Sequence, residues 1–272
     1  MSPNLIAEDE LAKITEKILR MPKYARMHLL NETVSDLVRQ ESAHYRNARD
    51  LERAIRQKVH NIVAPYLGNT NYELSEQALI TGFAQGEEAV KDACLKIMES
   101  HKSTAERLNS LEQFYEAIFD RIGNPESILD LACGYHPFGI PWMNLRKGCV
   151  YYAFDMIKPR IELINTFFEL AGMEPRALQQ DILVNPPAQK ADVAFFFKEA
   201  HRFEQRKRGC NRNFWLSLNV DHLIGPLPIT GMKSKYDMTG QHRQLVKENI
   251  SGFNWKVSEF QIGNELLFWI QK

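Results

Sequence analysis

From residue 5 to residue 122 the apolar positions recur at intervals of three and four, and from residue 127 short apolar runs take over. The first pattern is that of amphipathic helices, the second that of strands buried on both faces. Leu5, Leu11, Ile14, Ile18 and Leu19 predict a helix over 5–20, ended by Pro22. Leu29, Leu30, Val34, Leu37 and Val38 predict another over 24–40. Leu51, Ile55, Val59 and Ile62 predict a third over 45–64, closed by Pro65 and Gly68-Asn69. Two more follow over 73–83 and 87–99. The last, over 104–122, carries Leu108, Leu111, Phe114, Tyr115, Ile118, Phe119 and Ile122, with Thr104 as its N-cap. Gly123-Asn124-Pro125 then breaks the pattern.

Beyond the break strands alternate with helices. Strands are expected over 127–132, 149–154, 176–179, 191–197 and 214–224, and helices over 139–146, 159–171, 200–212 and 239–250. A closing pair of strands, 254–261 and 265–271, meets at Ile262-Gly263-Asn264 as a hairpin. Such alternation specifies an α/β fold with a doubly wound, Rossmann-like sheet, here preceded by an all-helical domain. The expected division is 1–122 and 123–272.

Composition narrows the class. A chain of 272 residues suits two domains, and 44% apolar with 25% charged residues is ordinary for a soluble protein. No window has the roughly 18 uninterrupted apolar residues of a membrane helix, and the N-terminus lacks the basic and apolar regions of a secretory signal. Cys94, Cys133, Cys149 and Cys210 are scattered, which points to a reducing compartment, the cytoplasm, and to neither a disulfide framework nor a metal site. A monomer is expected.

The formal net charge is zero, but its distribution is uneven. From Lys13 to His60 eleven basic residues face six acidic ones, and from Lys198 to Lys247 ten face four. Arg46, Arg49, Arg53 and Arg56 recur at three or four along the third predicted helix and form a basic stripe beside its apolar one. A stripe of this kind suits a phosphate backbone, as it also suits an ordinary solvated face.

Ligands of doubly wound sheets bind at the carboxyl ends of the strands. The first strand ends in Ala132-Cys133-Gly134, and a glycine there lets a ligand approach the backbone. Asp155 closes the second strand, Gln180-Asp181-Ile182 follows the third, and Lys198 follows the fourth. The GxGxxG dinucleotide fingerprint is absent. A carboxylate after the second strand can accept ribose hydroxyls. One after the third, followed by an apolar residue, can bind an adenine amine and pack its ring. The series fits the adenosyl part of S-adenosylmethionine (SAM).

Several stretches make a resemblance specific: His101-Lys-Ser-Thr-Ala-Glu-Arg-Leu108, Ile128-Leu-Asp-Leu-Ala-Cys-Gly-Tyr-His-Pro137, Ala153-Phe-Asp155, Leu178-Gln-Gln-Asp-Ile-Leu183 with Pro186-Pro187, Phe196-Phe-Lys198 and Gly263-Asn-Glu265. Through them the chain resembles, over most of its length, the aminoglycoside-resistance 16S rRNA methyltransferases of the Arm/Rmt type. These methylate N7 of guanine 1405 in the 30S subunit. The resemblance implies that Arg107, with His101 nearby, holds the SAM carboxylate. It implies that Ala132, Gly134, Asp155, Gln180, Asp181 and Ile182 bind the rest of the cofactor. Lys198 would lie by the transferred methyl. Arg46, Arg49, Arg53 and Arg56, with Lys233 and Lys235, would meet 16S rRNA. Tyr135, Phe138, Trp142 and Phe203 are candidates to stack on the target base. Two stretches depart from the family pattern, Glu199-Ala-His-Arg-Phe203 and Gly225-Pro-Leu-Pro-Ile-Thr-Gly-Met-Lys-Ser-Lys-Tyr236. Both lie on the acceptor side. They leave open two alternatives: methylation of another RNA site or substrate, and a SAM-binding homologue that no longer transfers methyl.

Overall fold

The computed structural model describes residues 6–63, 70–100, 102–105, 107–230 and 236–272. The first helices are α1 (Glu8–Leu19), α2 (Pro22–Ala25), α3 (Asn31–Ser42) and α4 (Ala48–Val63). Leu11, Ile14 and Ile18 pack against Val34, Leu37, Val38, Leu51, Ile55 and Val59 in one core, with Ile157 as the buried residue that reaches it from the sheet region. Pro22 starts a helix instead of ending one: it occupies the first turn of α2, where a missing N–H costs nothing. The helix expected over 24–40 is therefore two. The chain turns between them at His28, whose φ is 48°.

Next come α5 (Tyr72–Gln85) and α6 (Glu87–Glu99). They fold back on each other at Gly86, whose φ of 112° suits glycine. A Cβ at Gly82 would lie 2.8 Å from the Ala89 carbonyl, so glycine sets how closely the pair packs. The single helix expected over 104–122 is broken into α7 (Lys102–Ala105), a 3₁₀ turn (Leu108–Ser110) and α8 (Leu111–Ile122). Thr104 is no N-cap: it is buried, and its hydroxyl donates to the Met98 carbonyl at 2.8 Å. Tertiary bonds of Thr104 and Arg107 outweigh helical continuity here.

The sheet comprises β1 (Ser127–Leu131), β2 (Val150–Asp155), β3 (Ala177–Gln179), β4 (Lys190–Phe195), β5 (Asn219–Pro228), β6 (Lys256–Ile262) and β7 (Glu265–Gln271). Their order is β3-β2-β1-β4-β5-β7-β6. All neighbours are parallel except β7, which runs antiparallel between β5 and β6. Successive side chains point to opposite faces. Ile128, Val193 and Phe195 face a core shared with α5, α6, α8 and α9 (Lys158–Leu170). Leu129, Leu131 and Phe196 face the other, shared with α10 (Ala200–Arg206), α11 (Cys210–Ser217) and α12 (Thr239–Ile250).

Three further expectations are corrected. The helix over 139–146 is a 3₁₀ helix, His136–Trp142, which Pro137 and Pro141 keep from winding as α. The helix over 200–212 is split at Gly209, φ 74°. The strand over 214–224 is helix at its start and strand only from Asn219, because Cys210, Asn211, Phe214 and Trp215 are buried at helical spacing. A short apolar run does not distinguish the two.

Candidate active site

The end of β1 is bent by two left-handed residues, Ala132 (φ 51°) and Gly134 (φ 56°). A positive φ at alanine is strained, and such strain concentrates at functional sites. The turn aims the Gly134 N–H at Asp155 Oδ2, 3.1 Å away. Asp155 also accepts from the Ile157 N–H at 2.9 Å and from Arg160 Nη1 at 2.8 Å. A carboxylate has about four acceptor positions, so one remains for a ligand hydroxyl. Arg160 is fully buried, with its guanidinium 4.9 Å from the centre of the Tyr135 ring.

A cavity of about 450 Å³ lies between these strand ends, the helices α3 and α4, and α10. Ala132, Asp155, Gln180, Asp181 and Ile182 line it together, with Leu37, Ile62, His201 and Phe203 opposite. That size falls in the range of small-molecule sites. Asp181 is nearly fully buried. It accepts from Arg206 Nη1 (2.9 Å), the Thr33 hydroxyl (2.7 Å) and the Leu183 N–H (3.2 Å), and Arg206 Nη2 pairs with its Oδ2 at 2.7 Å. His201 is held neutral: burial first, then the neighbouring Arg202 charge, lower its pKa to about 4.

Arg107 and Lys198 stand apart from the cavity lining and meet on Glu265, the first residue of β7. Arg107 Nε lies 2.8 Å from one Glu265 oxygen and Lys198 Nζ 2.7 Å from the other, and all three side chains are buried. The Arg107 guanidinium sits between the Phe114 and Phe197 rings, 4.8 and 4.7 Å from their centres. Burial alone would raise the Glu265 carboxyl, but Arg107 and then Lys198 outweigh it and hold it below its ordinary value. Two cations meet on this one carboxylate, and among the described residues the buried Nη2 of Arg107 has no hydrogen-bond partner. A ligand carboxylate suits both. Lys198 is left-handed, with φ 60°.

Sequence reasoning did not find Glu265 as a site residue, nor Thr33 and Arg206, because each acts through a partner far along the chain, nor His201, which packing brings into the cavity wall. Asp130, the polar interruption in β1, serves the scaffold: it accepts from Tyr151 Oη (2.7 Å) and bonds His136 Nδ1 (2.8 Å). Of the stacking candidates, Tyr135 and Phe138 are consumed by the core, Trp142 is half-buried against it, and Phe203 lines the cavity. Arg46, Arg49, Arg53 and Arg56 are all exposed, but Arg46 precedes α4 and is not on the helical stripe. Arg53 pairs with Asp50 and Arg56 with Glu52. His101, Lys233 and Lys235 lie outside the described residues.

A parallel sheet with one antiparallel strand beside its edge, and a nucleoside-sized cavity at its switch point, defines a Rossmann-like SAM-dependent methyltransferase. More narrowly, the chain belongs to the ribosomal RNA methyltransferase (FmrO) family, whose sequence model matches residues 20–270. It is 27% identical to the 16S rRNA (guanine(1405)-N(7))-methyltransferase of Micromonospora echinospora, over 97% of this chain and 98% of that one. To the enzyme of the same name from Proteus mirabilis it is 24% identical, over 97% and 98%. Among solved structures it resembles the 16S rRNA methyltransferase RmtF in complex with S-adenosyl-L-homocysteine (TM-score 0.80, 22% identity, 98% of this chain and 100% of that one). It also resembles the 16S rRNA methylase RmtB (TM-score 0.78, 23%, 96% and 98%).

Proposed function

We propose that this protein transfers the methyl group of SAM to N7 of guanine 1405 in the 16S rRNA of the 30S subunit, as a cytoplasmic monomer, and so confers aminoglycoside resistance. One observation carries the reading: family membership over residues 20–270 coincides with a cofactor half whose parts meet at the strand ends, Asp155 and Asp181 in the cavity and Arg107 with its open Nη2 beside it. Relatives at 24–27% identity over nearly their whole length bear the name of that activity.

SAM, when bound, supplies an electrophilic methyl on a sulfonium. Asp155 takes a ribose hydroxyl at its remaining acceptor position, and Arg107 meets the cofactor carboxylate. Guanine N7 carries an in-plane lone pair and no proton, so no general base is required. With its pKa lowered to about 4, His201 is a weak base, which suits a site built on positioning. Lys198, oriented by Glu265, donates to guanine O6, a pairing that purine edges commonly make with lysine. Phe203 stacks on the unstacked base. The helices α1–α4, with their own core, form the docking unit, and α5–α8 go with the catalytic domain whose core they share.

The test is transfer of labelled methyl from SAM to purified 30S subunits, mapped by primer extension after borohydride–aniline cleavage. A stop at guanine 1405 is expected. Label at another nucleotide would replace the target, and SAM binding without any label would replace the activity.

A further inference from the structure

The carboxylate of Asp181 has no acceptor position to spare. Two groups already stand against each oxygen: Arg206 Nη1 and the Leu183 N–H hydrogen-bond to Oδ1, while the Thr33 hydroxyl hydrogen-bonds to Oδ2 and Arg206 Nη2 lies 2.7 Å from Oδ2 as an ion pair. A carboxylate offers about four acceptor positions. Thr33 and Asp181 are both buried, so water does not compete there. Yet Asp181 lines the cavity, and so do Leu37 of α3 and Arg206 of α10. A purine amine entering that cavity gains a bond to Asp181 only by displacing a donor already in place.

The donors are not equal. Arg206 meets both oxygens, by a charge-assisted hydrogen bond from Nη1 and an ion pair from Nη2, whereas Thr33 contributes one neutral hydroxyl. The Leu183 N–H belongs to the same loop as Asp181 and moves with it. Thr33 is the donor that yields. It lies on α3, which holds the same region through two further contacts: Glu32 accepts from Asn185 Nδ2 at 2.9 Å, and Asp36 lies 3.5 Å from Arg206 Nη2.

We propose that Asp181 is shared between the cofactor and the docking unit. The adenine amine and Thr33 compete for one carboxylate, so filling the cofactor site unfastens α3 and lets α1–α4 shift against the sheet. Thr33 is thus a positioning residue that couples cofactor occupancy to the RNA-facing helices. The proposal rests on the SAM reading above. The coupling is reciprocal, as linkage requires: whatever pulls α3 away favours the cofactor.

S-adenosyl-L-homocysteine is titrated calorimetrically into the full chain, its Thr33→Val variant and its Thr33→Ser variant. Removing the competing hydroxyl is expected to tighten binding about three- to tenfold, the worth of one hydrogen bond, and Thr33→Ser is expected to bind as the wild type does. Unchanged or weaker binding by Thr33→Val overturns the proposal. Hydrogen exchange on the wild type decides independently, even if Thr33→Val does not fold. Saturating S-adenosyl-L-homocysteine is expected to speed exchange of the α3 amides, and unchanged or slower exchange overturns the proposal. Absence of binding by the wild type would remove the cofactor reading and this inference together. Binding without coupling removes only the inference.

Discussion

Glu265 shows what a single buried residue decides. It compensates two cations brought from 158 and 67 positions upstream, Arg107 and Lys198. Glu265→Gln keeps the shape and removes the charge. Leaving a buried ion without its partner costs about 3–5 kcal/mol, so a loss of that order is expected in urea unfolding at neutral pH. The depressed carboxyl also sets a pH dependence. Its stabilisation is complete above the ordinary carboxyl value of 4.5 and fades as pH falls through the lower folded value, because the unfolded state then binds more protons. His201 works in the same direction at higher pH. Its folded value of about 4 lies below the ordinary 6.5, so stability is complete above 6.5 and declines as pH falls from there toward 4. In His201→Gln that decline is expected to shrink, measured as the unfolding midpoint across pH 7 to 4.

Among the elements, α4 carries two stripes on one helix. Leu51, Ile55, Val59 and Val63 face the core at every fourth position, and Arg49, Arg53 and Arg56 face solvent. The apolar stripe fixes the helix, so the arginines stay exposed to a partner even where Arg53 and Arg56 pair with Asp50 and Glu52. Reversing all three to Glu is expected to weaken 30S binding at least tenfold near physiological salt and to flatten its salt dependence, while cofactor affinity stays unchanged. Unaltered 30S binding would take the docking face elsewhere. Elements with clean periodicity and well-marked ends, such as α12 and β7, fall where the sequence places them. Two of those misread, 104–122 and 200–224, are where buried polar residues or a left-handed glycine cut into a continuous apolar pattern.

Taken whole, the molecule has a helical unit with its own core and a sheet whose two cores absorb the remaining helices. Among the described residues the two parts meet through Ile157 and a few polar contacts, including the Gln179 side chain on the His28 carbonyl at 2.6 Å and Thr33 on Asp181. Sparse contact of this kind predicts two cooperative units. Native-state hydrogen exchange is expected to give α1–α4 a lower common opening free energy than β1, β2 and β4, and one shared value would refute the division.

The sequence by itself determined the fold class, the ends of the first four strands, and the place of Asp155 at the end of the second and of Asp181 just beyond the third. Hydrophobic periodicity and turn residues are local signals, and strand ends in a doubly wound sheet have a fixed relation to the ligand. Only the tertiary structure decided that residues 72–122 share a core with the sheet, that Arg107 and Lys198 converge on Glu265, and that Asp181 is claimed by both Arg206 and Thr33. Those pairings span 25 to 158 residues of chain. No periodicity encodes them, because a buried charge takes its partner from whatever the packing brings within about 3 Å.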